Sequence, residues 1–258
     1  MPALDWTAPW FAPWSDPGES LARRIAAGQP VHAALNAAGA APVTFVPQDA
    51  LPAGAGYEPF IFATRQCPVR PGLHDFFNGL VWLRFPLAKA ALNRIQAQEI
   101  ARAGIAARRG PVRDAITVFD ENGALLAAPQ PLWEALVARE WRRLFVDLRP
   151  LWAQARLLVF GHAFMEQLAA PRKGLTAHVW RADAALESGA PADGWLAAQC
   201  TPERLATKPF TPLPVLGVPG WWAGNENFSF YDDSLVFRPR KTQQTTTTKT
   251  SAGLASRS

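Results

Sequence analysis

The chain has 258 residues, 49% of them hydrophobic, which suits one large folded core or two small ones. No run of about 18 uncharged apolar residues occurs, so no membrane-spanning helix is expected, and Met1-Pro2-Ala3-Leu4-Asp5-Trp6 has no basic or apolar leader region, which argues against a secretory signal. Of the net charge of +5, Lys241, Lys249 and Arg257 of the acid-free tail supply +3, and the +2 left on the body makes a weak case for nucleic acid.

Trp6, Trp10 and Trp14 recur at four-residue steps with prolines at 9, 13 and 17, which predicts an extended arm pinning aromatics onto the core. Short helices are predicted for 20–27 and 31–38, separated by Gly28-Gln29-Pro30. Six prolines between Ala41 and Gly72 then predict a long ordered loop around apolar pieces such as Val43-Thr44-Phe45-Val46. Asp75 can cap a helix running through Phe85. Pro86 and Gly104 suit the two ends of the next one. On that helix Leu92 and Ile95 face the core, and Glu99 lies only about 20° from Leu92. A carboxylate on an apolar stripe must be paired or shifted in pKa.

Ala115-Ile116-Thr117-Val118-Phe119, Asp120-Glu121-Asn122-Gly123 and Ala124-Leu125-Leu126 read as a β-hairpin turning on Asn-Gly, with Asp120 and Glu121 serving the turn. Residues 132–145 have helical spacing. Residues 151–168 are largely helical too, with 157–160 a possible short strand. After Glu187 the chain reads as irregular, leading to an exposed Trp221-Trp222 pair, and beyond Pro239 its Thr, Ser and Lys content predicts disorder. The chain divides into a globular domain over 1–238 and a tail over 239–258.

Three polar groupings stand out. In Leu73-His74-Asp75-Phe76-Phe77-Asn78, a histidine, a carboxylate and an amide sit among large apolar residues. On a helix His74 and Asn78 share a face and could bridge a metal or substrate; otherwise the group is a cap and a satisfied core histidine. In Gly161-His162-Ala163-Phe164-Met165-Glu166, the spacing suits metal ligation or an oriented base, or else a plain i,i+4 pair, and His178 follows after a turn. Arg108-Arg109-Gly110-Pro111-Val112-Arg113-Asp114 could hold a phosphate or carboxylate, or could fix its loop through an ion pair of Arg113 with Asp114 or Glu99. The phosphate-loop, dinucleotide, zincin and nucleophile-elbow signatures are all missing. Cys67 and Cys200 have no metal-ligand spacing and suit free thiols in a reducing compartment.

These stretches resemble a bacterial family known as domain of unknown function 3025. The resemblance rests on Leu73 to Trp82, Phe85-Pro86, Lys89, Leu92-Asn93, Arg109 to Ala115, Phe119 to Leu125 and Phe160 to Ala163, and it covers about residues 5–185. It implies a cytosolic bacterial protein and brings no activity with it.

The expectation is therefore an α+β domain, mostly helical, with a small β-hairpin and long Pro-rich loops, in the cytoplasm and without a membrane anchor. The leading function is metal-dependent hydrolysis. His74, Asp75, His162 and His178 would ligate a divalent ion, Glu166 or Glu99 would act as general base, and Asn78, Arg109 and Arg113 would contact substrate. The alternative is a non-catalytic module that binds nucleic acid or a protein partner through the basic 84–113 region, where seven Lys or Arg face one acid.

Overall fold

A computed structural model describes residues 2–39, 41–104, 110–182 and 189–240. The architecture is α+β and mostly helical, with one contiguous apolar core running from Ala8 to Phe237. No helix among the described residues is long and apolar enough to cross a membrane.

Helices α1 (Ser15–Ala26) and α2 (Val31–Asn36) lead to strand β1 (Thr44–Pro47), which pairs in parallel with β2 (Gln66–Val69). Between them lies α3 (Tyr57–Thr64), inside the region expected to be loop. Its one proline, Pro59, falls in the first turn, where the missing N–H has no helical acceptor to lose. The N-terminal segment is an aromatic plug as expected, but it folds through turns rather than running extended. Phe11 stacks on Phe77 at 5.4 Å, Trp10 meets Trp221 at 6.1 Å, and Arg84 lies over Trp14 while donating to the Pro13 carbonyl.

Helix α4 (Leu73–Arg84) begins after Gly72, so Asp75 stands inside the first turn instead of capping it. Helix α5 (Pro86–Ala103) runs between Pro86 and Gly104 as expected, and Gly104 takes φ +70° there. The start of α5 is capped from a distance: the Asp193 carboxylate accepts the Leu87 and Ala88 amides at 2.9 and 2.8 Å.

The predicted hairpin at 115–126 is absent. Residues Pro111–Asn122 form helix α6, and only Gly123–Ala127 is a strand, β3. Val112, Ala115, Ile116 and Phe119 repeat at helical spacing and are all buried. Gly123 has φ −78°, so Asn122-Gly123 ends a helix rather than turning a hairpin. Helix α7 (Gln130–Ala138) stops at Arg139, which takes a left-handed conformation. Strand β4 (Arg156–Val159) then precedes α8 (His162–Leu168) and β5 (Thr176–Arg181).

The region expected to be irregular after Glu187 holds α9 (Gly189–Gln199), α10 (Pro202–Ala206) and β6 (Phe210–Pro214). The main sheet has the order β4-β3-β5-β6, which puts the two prolines of β6 on an edge strand. Trp221 and Trp222 are half-buried against the core, not exposed. Cys67 and Cys200 are free and buried.

Candidate metal centre

The site forms where α4, α6 and α8 meet. The antiparallel pairing of β3 with β4 sets Ala124 opposite Val159, and the amides of Phe160 and Gly161 both reach the Gly123 carbonyl, at 2.9 and 2.8 Å. That clamp holds the last turn of α6 against the first residue of α8. Phe119 stacks on Phe160 at 4.8 Å and on Phe210 at 5.2 Å, making an aromatic floor beneath the junction. Helix α4 packs along α8 and brings His74 to the same place.

There the Nε2 atoms of His74 and His162 lie 3.2 Å apart, from residues 88 positions distant in sequence. Two nitrogens bound to one ion at about 2.0–2.1 Å in tetrahedral geometry stand about 3.3 Å apart. Glu121 Oε2 is 3.6 Å from His162 Nε2. One ligand atom from each of His74, Glu121 and His162 can be chosen so that all lie within 4.8 Å of one another.

Each imidazole also has a carboxylate behind it. His74 Nδ1 is 3.1 Å from Glu166 Oε2, and His162 Nδ1 is 3.7 Å from Asp120 Oδ2 without a hydrogen bond of its own. A hydrogen bond of the kind between Glu166 and His74 fixes the tautomer and leaves the other nitrogen for an ion, whereas Asp120 acts on His162 through its charge alone. Burial holds His162 neutral down to a pKa of about 4, against the pull of Asp120. Asp120 in turn is paired with the buried Lys89 ammonium at 2.6 Å. Burial opposes its ionisation, but Lys89 and His162 outweigh that and keep its carboxyl below the usual range.

A cavity of about 510 Å³ opens onto these residues. On one side the Tyr57 hydroxyl takes a hydrogen bond from Asn78 Nδ2 at 3.4 Å and lies 3.4 Å from the Cys67 sulfur. Burial pushes the Cys67 thiol up to about 12, which leaves it inert. On another side Asn93 Nδ2 donates to Glu58 Oε2 at 2.6 Å. Burial raises the Glu58 carboxyl above the ordinary range, although Lys89 and Asn93 oppose it. A carboxyl raised in the folded state costs stability once pH climbs past its unfolded value. Glu58→Gln should therefore melt with the parent near pH 4 and progressively above it toward pH 8, as read by thermal unfolding across that range.

Of the residues singled out from sequence, His74, Asn78, Arg113 and His162 line the cavity. Asp75 lines it too, but its carboxylate is taken by Arg70, through the Arg70 amide at 2.6 Å and a two-pronged guanidinium contact at 3.0 Å on each oxygen. Glu166 reaches His74 at 3.1 Å instead of pairing with His162. Glu99 forms an i,i+3 pair with Arg102 at 3.0 Å and does not line the cavity. His178 stands away on β5, opposite Gly123 and Pro212, where burial and Lys208 lower its pKa. Arg109 and the tail beyond Arg240 lie outside the described residues.

Asp120 and Glu121 were assigned to a turn rather than to the site, and Lys89 and Glu58 were not singled out as site residues. The helical spacing of Val112, Ala115, Ile116 and Phe119 was the signal that could have found the two acids, since it continues through the last turn of α6. The basic run of 84–113 forms no continuous surface among the described residues. Arg84 is turned onto Trp14, Lys89 and Arg113 are buried, and Arg102 is paired.

Residues 43–241 match the family described as protein of unknown function (DUF3025). No curated protein and no solved structure matches the chain.

Proposed function

We propose that this chain, which belongs to the DUF3025 family, is a metal-dependent hydrolytic enzyme with His74, His162 and Glu121 as ligands of a divalent ion. The observation that carries this reading is the 3.2 Å approach of two imidazole nitrogens, with Glu166 hydrogen-bonded behind His74, Asp120 3.7 Å behind His162 and the Glu121 carboxylate in reach. Two histidines and one carboxylate make a ligand set suited to zinc that leaves a coordination position for water.

An ion held by His74, His162 and Glu121 would supply a nucleophilic hydroxide near neutral pH for hydrolysis at an electrophilic carbon or phosphorus. Glu166, 3.1 Å from His74 Nδ1, would orient that imidazole, and Asp120 would act on His162 through its charge at 3.7 Å.

The test is elemental analysis of the purified protein, followed by zinc titration of the metal-depleted form by calorimetry. The parent should take up about one equivalent of zinc. His74→Ala, His162→Ala and Glu121→Ala should each weaken binding by about 100-fold or more, and Glu166→Gln by about 10–100-fold. A parent that takes no metal overturns the reading, and so does undiminished binding in the three ligand variants. A parent that passes is then screened for zinc-dependent cleavage of chromogenic esters, amides and phosphoesters.

A further inference from the structure

One cation lining the cavity has no direct counter-ion among the described residues. Arg70 is matched by Asp75 and Lys89 by Asp120, while Glu58 is hydrogen-bonded by Asn93. Arg113 has no such partner. Its side chain belongs to a residue 9% exposed, yet no described carboxylate pairs with it. Among the described residues its one hydrogen bond is a 3.5 Å contact from Nη1 to the Gly104 carbonyl, and its Nε has none. A buried guanidinium without a counter-ion is costly, so a charge supplied from outside the chain would bind there with advantage.

Two further buried atoms, on residues that line the same cavity, lack hydrogen-bond partners among the described residues, the acceptors Gln96 Oε1 and Asn78 Oδ1. Buried polar groups in a folded protein are nearly all satisfied, so their concentration in one cavity marks a binding surface. Apolar wall comes from Leu92, Ile100 and Ile116.

We infer that the cavity takes a small organic anion, a carboxylate or phosphate held by Arg113, with its hydrolysed bond at the far end beside His74, His162 and Glu121. The second half of that statement rests on the hydrolytic reading above; the anion subsite does not. Arg113 and Glu121 are eight residues apart on α6, about 12 Å along its axis, so the anion and the scissile bond belong to opposite ends of one molecule. A volume of about 510 Å³ admits a metabolite-sized compound and not a folded polymer.

The experiment measures calorimetric binding of suberate, hexyl phosphate and the uncharged octane-1,8-diol to zinc-loaded and metal-free protein. At least one of the two anions should bind the parent ten-fold or more tightly than the diol, and the stronger identifies the anionic group. Arg113→Met should erase that preference while its zinc content stays at the parent level. Because it removes an unpaired buried charge, it should also melt at or above the parent temperature, whereas a merely structural arginine would lower it. Arg113→Lys should keep part of the preference. Equal binding of anions and diol by the parent overturns the inference, as does a preference that survives in Arg113→Met. A parent that takes no zinc but still discriminates through Arg113 keeps the anion subsite and removes the hydrolytic reading.

Discussion

Gly161→Ala should abolish zinc uptake and lower stability by about 3 kcal/mol or more, a fall in melting temperature of about 6 °C or more. The residue is neither a ligand nor a cavity wall. A Cβ built at Gly161 would come within 2.4 Å of the Glu121 carbonyl oxygen and 2.6 Å of the Asn122 nitrogen. Those are backbone atoms of the last turn of α6, already clamped by two hydrogen bonds to the Gly123 carbonyl. They cannot rotate aside as a side chain would, so α6 and α8 must separate, and with them Glu121 and His162. Calorimetric zinc titration beside thermal unfolding checks both halves. A variant that loses stability but keeps parental zinc affinity would show that the junction does not set the ligand geometry.

Lys89→Met should cost about 3–5 kcal/mol, because it leaves the Asp120 carboxylate in a largely buried position without its cation. The ammonium also lies 5.4 Å from the Trp82 ring, a contact that methionine partly replaces. Adding Asp120→Asn to Lys89→Met removes the stranded charge and should recover more than half of the loss. Denaturant unfolding of the parent, both single variants and the double variant closes the cycle. Losses that simply add would mean that the pair does not act as one unit. Zinc affinity in the same four proteins measures how far Asp120 steadies His162, with an expected weakening of about ten-fold in Asp120→Asn.

Much of the helical frame was legible because its ends carry their own chemistry. Pro86 and Gly104 bound α5 within a residue of their expected roles, since proline suits a first turn and glycine a left-handed exit. The stretch 111–127 was misread for a related reason. Asn-Gly is a strong turn pair, but the helical burial of Val112, Ala115, Ile116 and Phe119 outweighs it, and Gly123 never enters the left-handed region. That single error hid Glu121, because a turn would have sent it to solvent.

The histidines were visible as residues and invisible as a pair. Their approach depends on α4 packing along α8 and on the β3–β4 register, both set by contacts across long stretches of chain. His178 looked equivalent in sequence, yet its strand sets it between Gly123 and Pro212 in the sheet, and it does not line the cavity. Asp75 looked like a ligand until Arg70, five residues earlier, took both of its oxygens. Local spacing reports which side chains share a face. It says nothing of which arginine, even one five residues away, will claim one of them.

The prolines of β6 have a consequence at the rim of the sheet. The Val215 amide bonds inward to the Leu175 carbonyl at 3.2 Å, so the alternation of an antiparallel pair turns positions 210, 212 and 214 outward. Pro212 and Pro214 have no N–H to present, and the Phe210 amide is already spent on the Lys208 carbonyl at 2.7 Å. The outer margin of β6 thus offers acceptors without a donor. A foreign strand could not zip onto it, and crowding many copies together would not grow this sheet into a fibril from that side.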